Sequence, residues 1–586
     1  MSSYLNELCR FYARMQNDPS SPMPHDGMSA ENISFVLNID ENGQLLKVED
    51  IRDSKGRPKR MFVPAAAKRT VGVLPYFLWD NTGYVLGVDG KGKPQRTVQT
   101  FDAFRKQHED LLADCDDIHA RALLAFLHDW KPEQFNNLDN RDALLDSNVV
   151  FRLNTEKCLF HEVSALKDIW LKTLHKTPDV SALGVCLVSG HLESIARIHP
   201  SIKGVVGAQS SGAALVSFNC AAFTSYGKEQ SANSPVSEHA ARAYTSALNY
   251  LLQRDHEQMV RIGDTCMVFW ADKASPAEKL FGGFFDFPPA AAKEQDNAQV
   301  QRLQGILQAL RRGASLNEAD RELESGSRFY VLGLAPNAAR LSVRFWLTDT
   351  LDVLLRHVSS WYEDLRIERK FPDSEPEFPP LWLLLSQTVA AQGKIENIPP
   401  GIGGQMIRAF LGGSKLPENV FGTVLQRIHA DKADKKVQYY RAALIKAYLR
   451  RNLKEVNDMT TLNTEEQSMG YRLGRLFALL DKTQQDALGT VNAGLRERYI
   501  GAASATPRLV FPMLLRLTQH HVTKVRKNRF EGFEVMFNKT ISDILNDMTD
   551  FPATLPLAEQ GRFMLGYYHQ TNAFYQKKSD TTETNE

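Results

Sequence analysis

Apolar and polar residues alternate from Ile33 to Ile51 on either side of Asn42-Gly43. That dipeptide accepts positive φ, so the pattern predicts a β-hairpin. A short helix precedes it. A second hairpin is expected from Tyr84 through Gly90 and Gly92, after which helical periodicity runs from about Phe101 to Trp130. Short apolar runs at Leu183–Val188, Ala213–Phe218, Thr265–Trp270, Arg328–Leu334 and Leu341–Trp346 predict strands of a mixed sheet, with Glu238–Leu252 as an intervening helix. Pro288, Pro289 and a run of alanines mark Phe287–Asn297 as a linker or long loop, and prolines among acidic residues break the pattern again at Phe371–Pro380. Beyond that break the period is helical. Leu473, Leu476, Phe477 and Leu480 share one face, as do Phe533, Met536, Phe537, Ile541, Ile544, Leu545 and Met548. The expected class is α+β: an N-terminal mixed α/β region with hairpins and a mixed sheet over 1–370, followed by an all-α helical bundle over 381–586. The polar tail Lys577–Glu586 reads as disordered.

Composition narrows the function. The 586 residues are 43% hydrophobic and 24% charged, enough for several cored domains. The start of the chain lacks the continuous apolar stretch of a signal peptide and no 18-residue apolar run occurs, so the expected location is cytoplasmic, with no membrane contact. Cys9, Cys115, Cys158, Cys186, Cys220 and Cys266 form no C-x-x-C pair, so neither a zinc site nor a redox dithiol is signalled.

Motifs for catalysis fail on inspection. Gly87 to Lys93 fits G-x-x-x-x-G-K, but Pro94 stands where a magnesium-binding Ser or Thr belongs and argues against a phosphate-receiving helix starting there. Gly207-Ala-Gln-Ser-Ser-Gly212 has the wrong spacing for a nucleophile elbow. His161-Glu162 lacks the second histidine of H-E-x-x-H, and Asp116-Asp117-Ile118-His119 has no companion cluster. No catalytic residue, metal or cofactor is therefore expected. The alternative is a metal-dependent nuclease or other hydrolase whose ligands meet only in three dimensions.

Net charge is only +1, but its distribution is uneven. Ile51–Arg69 carries seven basic residues and one acid, Arg427–Lys454 nine against two, and Arg508–Arg529 six against none. Tyr439, Tyr440, Tyr448 and Phe530 interleave with the last two patches. Such patches are either solvated faces or a track for a phosphate backbone with rings for stacking. Lys203 to Gly212 adds a Gly-rich loop in which Gln209 suits an adenine edge; a plain β-turn is its other reading.

These segments also carry a resemblance. Phe62-Val-Pro-Ala-Ala-Ala-Lys-Arg69, Pro75–Asn81 with Tyr84–Gly87, Ile198-His-Pro200, Lys203–Asn219, Ser225–Gln230, Phe329–Trp346, Leu473–Phe477 and Gly501–Arg508 resemble, in order, the large subunit of type I-C Cascade, the c subtype of the Cas-eight family. The resemblance implies a non-catalytic CRISPR subunit that reads the protospacer-adjacent motif in double-stranded target DNA, aids strand separation and R-loop formation, and presents the displaced strand to a helicase-nuclease. Implied partners are the backbone and guide-end-binding subunits that carry the CRISPR RNA. A small helical subunit made from this chain's own C-terminal region, starting at Met459 or Met469, is implied too. On these grounds Lys68 and Arg69 are expected on phosphates, Asn81, Gln209, Ser210 and Ser211 near motif base pairs with Lys228 beside them, and Arg508, Lys524 and Arg526 on single-stranded DNA. A purely architectural subunit that never touches DNA is the third reading.

Overall fold

The computed structural model describes residues 3–575 apart from positions 19–20, 22, 26, 66–68, 70–71, 175–182, 255, 284, 286–300, 303–304, 307, 311, 313, 315, 321–322, 324–325, 391–396, 400, 432–436, 456–458, 490–492 and 529–531. Lys68, the expected loop Phe287–Asn297 and the tail Lys577–Glu586 lie outside the described residues. The chain divides into two compact units. The first comprises Met1–Gly204, Ala208–Gln253 and Asn337–Leu341; the second comprises Val205–Gly207, Arg254–Pro336 and Ser342–Glu586.

The first unit holds α1 (Tyr4–Gln16), β1 (Met28–Ile33), β2 (Phe35–Ile39), β3 (Leu45–Asp50), β4 (Lys59–Pro64) and β5 (Trp79–Asn81). They are followed by α2 (Thr82–Val85), α3 (Pro94–Leu112), α4 (Ile118–Asp129), α5 (Arg141–Leu144), β6 (Asn148–Leu153), α6 (Ser164–Leu174), β7 (Leu183–Val185), β8 (Leu192–Ser194) and α7 (Glu238–Leu251). Its main sheet has the order β3-β2-β6-β5. The β2–β6 pair is parallel, with Leu37 opposite Phe151, and the outer pairs are antiparallel, so the sheet is mixed. Every residue of β2 is buried. Phe35, Leu37 and Ile39 face the core under α3 and α4, while Val36 joins Val63, Trp79 and Val150 on the other face. The Asn42-Gly43 hairpin forms between β2 and β3. Asp40 Oδ1 accepts from the Asn42 and Gln44 amides at 3.0 and 2.7 Å. Gly43 has φ 81°, and a Cβ there would lie 2.3 Å from the Phe126 nitrogen, so both conformation and space require glycine.

Two expectations fail locally, and one strand goes beyond them. The second hairpin does not form: Asn81 caps the short helix α2, and Pro94 is the first residue of α3. Proline suits that position, because the N–H it lacks has no partner there and its fixed φ is already helical. Ala213–Phe218 is no strand and makes only isolated bridges, Ile202 to Ala213 and Ala214 to Arg340. The central strand β6, Asn-Val-Val-Phe-Arg-Leu, was not anticipated. Being buried on both faces, it has no alternation to betray it.

The second unit holds β9 (Met259–Ile262), β10 (Thr265–Ala271), α8 (Ala277–Gly283), α9 (Leu316–Ala319) and most of β11 (Arg328–Asn337) and β12 (Arg340–Thr350), whose adjoining ends Asn337 and Arg340–Leu341 belong to the first unit. Helices follow: α10 (Leu351–Leu365), α11 (Leu381–Ser386), α12 (Ile402–Leu411), α13 (Glu418–Ala430), α14 (Tyr439–Leu453), α15 (Met469–Leu488), α16 (Leu495–Ala505), α17 (Pro507–Asn528), α18 (Phe533–Leu545) and α19 (Leu557–Ala573). The sheet runs β12-β11-β10-β9, and its apolar face continues into the helices as one core from Ile262 to Tyr568. The helices α15 and α19 cross at backbone contact. A Cβ at Gly474 would lie 2.0 Å from the Phe563 carbonyl oxygen, and one at Gly566 2.1 Å from that of Tyr471. The α+β class, sheets with hairpins first and helices last, is as the sequence predicts.

Candidate nucleic-acid interface

A cleft of about 1300 Å³ lies within the first unit. The antiparallel ribbon β1–β4 forms one wall and sets Glu31 opposite Met61 and Asn32 opposite Arg60. Lys203 and the turn 209–212 of the loop 203–212 form another. Its neck is closed by reciprocal bonds between Ile202 and Ala213, both 2.9 Å, and a turn from Gln209 to Gly212 exposes Gln209, Ser210 and Ser211 at the tip. Gly204 and Gly212, at φ 93° and 95°, let the loop leave and re-enter the fold. Lys203 is fixed at both ends: its amide donates to Asn249 Oδ1 at 2.7 Å, and its ammonium meets Glu31 at 3.2 Å. Lys59, Arg60, Arg69, Arg197, Lys203 and Arg242 line the cleft against Glu31, Glu162 and Glu238. Cations thus outnumber carboxylates, which favours an anionic ligand.

Arg69 is the most constrained of these cations. Its Nε donates to the Leu74 carbonyl at 2.7 Å, its Nη2 is ion-paired to buried Asp80, and its guanidinium lies 3.7 and 3.9 Å from the ring centroids of Tyr76 and Tyr84. Burial raises the Asp80 carboxyl's pKa, and the hydrogen bond from Arg69 opposes that rise. The turn that supplies Asp80 is itself held under strain. Leu78 has φ 62°, unusual for a branched side chain, and its amide donates to His108 Nε2 at 2.9 Å. His108 Nδ1 bonds the Phe104 carbonyl at 2.8 Å, which fixes the neutral tautomer with Nδ1 as donor and Nε2 as acceptor. Full burial pushes the His108 pKa down to about 4.

Of the expected residues, Arg69, Gln209 and Ser211 line this cleft and Ser210 shares their turn. Asn81 does not reach it, because its Oδ1 accepts from Gly83 N at 3.0 Å as the cap of α2. Lys228 stands on another exposed loop. Lys59 and Arg60 belong to the basic run seen in sequence, whereas nothing in the sequence singles out Arg197, Arg242 or Asn249.

A family described as CRISPR-associated protein (Cas_Csd1) has a model that matches residues 8–575. The chain belongs to the Cas_Csd1 family. It is therefore a CRISPR-associated subunit of the Cascade type. A comparison with curated proteins finds no match.

In the second unit of this Csd1 chain several described cations of the basic segment Arg427–Lys454 are engaged inside the fold. Arg441 is buried and ion-paired to Asp431, which also takes Arg427 at 3.6 Å. Lys446 is 0% exposed, with Nζ 3.4 and 3.3 Å from the carbonyl oxygens of Glu363 and Asp364. Arg450 and Arg451 share Asp364, at 3.2 and 2.7 Å. Tyr439 is buried, and half-buried Tyr448 stacks one face on Phe421 at 4.0 Å. The helix α17 differs: Arg508, Arg516, His520, Lys524, Arg526 and Lys527 are all exposed on it, and it contains no acid. Arg508 and Arg526 pair with Asp550 and Glu534 at 2.8 and 2.7 Å, exposed contacts that contribute little. Among the described residues no group of three or more His, Cys, Asp or Glu could hold a metal ion, and no helix is long and apolar enough to cross a membrane.

Proposed function

We propose that this Csd1 chain is the large, non-catalytic subunit of a cytoplasmic type I-C complex and reads a short motif in duplex DNA through the cleft of its first unit. The observation that carries this is the convergence of Arg69 with Lys203, Gln209 and Ser211 of the 203–212 loop on one cleft rich in cations. Cations such as Lys203 and Arg60 hold phosphates, which fixes register without reading sequence; the Gln209 amide and the hydroxyls of Ser210 and Ser211 meet base edges. Guide pairing then reads the target itself. The displaced strand follows the cationic face of α17 through Arg508, Lys524 and Arg526, where a helicase-nuclease engages it. The backbone and guide-end-binding subunits complete the assembly.

The C-terminal helices also serve as a separate small subunit in this reading, and the packing favours Met459 as its start. Thr464 O accepts from Arg475 Nη1 at 3.2 Å, Asn463 N donates to the buried Tyr471 hydroxyl at 3.1 Å, and Gln467 Oε1 lies 3.4 Å from Arg472 Nη1. A chain begun at Met459 keeps these partners; one begun at Met469 leaves them behind.

The test is binding of the assembled complex to a library of duplexes varied at the motif. Lys203→Glu should weaken capture of every sequence, whereas Gln209→Ala with Ser211→Ala should change which motif is accepted. An unchanged motif preference in the second variant would sink the base-reading role.

A further inference from the structure

Tyr226 stands at the tip of a turn in the first unit closed by Lys228 N donating to Ser225 O at 3.0 Å. Both central residues have positive φ, 55° at Tyr226 and 66° at Gly227, the geometry of a type I′ turn. Asn-Gly is the usual choice there; a bulky aromatic at the first position is strained. The ring gains nothing inside the fold in return, since Tyr226 is 97% exposed. Strain retained at an exposed side chain points to a role outside the folded chain.

The turn is rigid and tied to the cleft. The Asn233 side chain clamps both limbs, accepting from Ser225 N at 2.9 Å and donating to the carbonyls of Lys228 and Gln230 at 3.0 and 2.9 Å. Gln230 Oε1 accepts from Nε of the cleft residue Arg197 at 2.7 Å. In the same loop Phe223, 43% exposed, lies 4.0 Å beneath the Arg340 guanidinium. The sequence neighbours of Tyr226 are polar, Ser225 and Lys228 among them, so no apolar surround extends the ring into a protein-docking patch. An aromatic face held into solvent beside cations is the arrangement that stacks nucleobases.

We infer that Tyr226 is a stacking platform for an unpaired base of DNA opened next to the motif, an inference that rests on the DNA-recognition reading above. In the folded duplex no base face is available, so the ring acts only once a base pair has parted. It slows re-pairing rather than strengthening first capture.

The experiment uses the assembled complex and a duplex target with 2-aminopurine at the first base pairs beside the motif, comparing wild type with Tyr226→Gly and Tyr226→Trp. Glycine relieves the backbone strain, so Tyr226→Gly should fold at least as well as wild type, and a lost signal cannot be ascribed to misfolding. Re-pairing should quicken and the open fraction fall about tenfold, with motif-dependent capture unchanged within about twofold, the order expected for one lost base–aromatic stack. Tyr226→Trp should open normally, and a target pre-opened at those pairs should restore the glycine variant. A 5-iodouracil placed there should cross-link to residue 226. A wild-type re-pairing rate and open fraction in Tyr226→Gly overturn the stack, as does failure of that variant to assemble, which would make the ring a protein contact. Capture without motif dependence by the wild-type complex would instead bring down the DNA-recognition reading, and the stack with it.

Discussion

In the first unit, cations from the β1–β4 ribbon, Lys203 and the helix α7 stand around a cleft, whereas in the second Arg441, Lys446 and Arg451 of the basic run Arg427–Lys454 turn inward. The difference follows from how many sides of each element are covered. The helix α14 packs against α10, α11, α13 and α19, so Arg441, Lys446 and Arg451 have no solvent face and reach carboxylates and carbonyls instead. A two-stranded ribbon and a glycine-hinged loop are covered on fewer sides and leave their lysines and arginines toward the opening. A count of charges along a chain therefore predicts a nucleic-acid surface only where the element bearing them is peripheral.

The sharpest way to break this comparison is to ask whether the second unit is as tightly closed as its internal cations imply. Gly474→Ala adds one methyl where the Phe563 carbonyl oxygen would be 2.0 Å away. Alanine favours the helix by ~1 kcal/mol over glycine. Parting two backbone-to-backbone helices costs more, ~3 kcal/mol or above. Chemical denaturation should show the second unit destabilised by roughly the difference, ~2 kcal/mol or more, and binding of duplex motif by surviving complexes unchanged. A neutral or stabilised variant would mean that α15 and α19 can move apart, and that the closed second unit is an incorrect description.

Acid should separate the two regions in the opposite sense. His108, His161 and His199, all in the first unit, have pKa values pushed down by burial to about 4. Each is neutral in the folded state well below the pH at which it protonates unfolded. Their contribution is thus fully present above about pH 6.5 and is lost as pH falls toward 4. At pH 5 each costs up to ~2 kcal/mol, from about 1.5 pKa units at 1.36 kcal/mol per unit. Protonation of His108 also puts a proton where the Leu78 amide donates, freeing the strained turn that presents Asp80 to Arg69. Hydrogen exchange followed from pH 7 to pH 5 should show residues 76–81 losing protection, and His108→Gln should flatten that dependence. Protection that stays constant over this range would refute the link.

Much of the fold was legible where one side of an element faces water. The β2–β3 hairpin, α7 and the strands β10 to β12 all announce themselves by period or by turn residues. What is not legible is either buried on both sides, as β6 is, or open to two readings, as with Pro94, which begins α3 where the glycines before it also suit a hairpin turn. The site divides in the same way. Gln209 and Ser211 sit in a Gly-rich loop whose composition is visible, and Arg69 in a visible basic run. Arg197, Arg242 and Asn249 reach the cleft only through tertiary packing, which no spacing along the chain encodes. Asn81 is expected near the bases only from the resemblance, and its side-chain oxygen instead takes the backbone amide of Gly83.

The smallest expected effects sharpen the contrast between inward and outward cations. Lys446→Met keeps the volume of a wholly buried side chain while withdrawing a donor from the carbonyls of Glu363 and Asp364. It should cost about 1–2 kcal/mol, the desolvation penalty of buried acceptors left short of a partner, offset in part by no longer burying a charge. Reversal of the exposed trio, Arg508→Glu, Lys524→Glu and Arg526→Glu, removes only surface pairs. It should therefore shift the unfolding temperature by no more than ~2 °C. Its effect should appear in the salt dependence of single-stranded DNA binding instead. If each cation neutralises one phosphate, the slope of log affinity against log salt becomes shallower by about 2. If the trio destabilised the fold as much as Lys446→Met does, α17 would be an internal tie like α14. The division between cations that hold the protein together and cations that hold its ligand would then fail for the second unit.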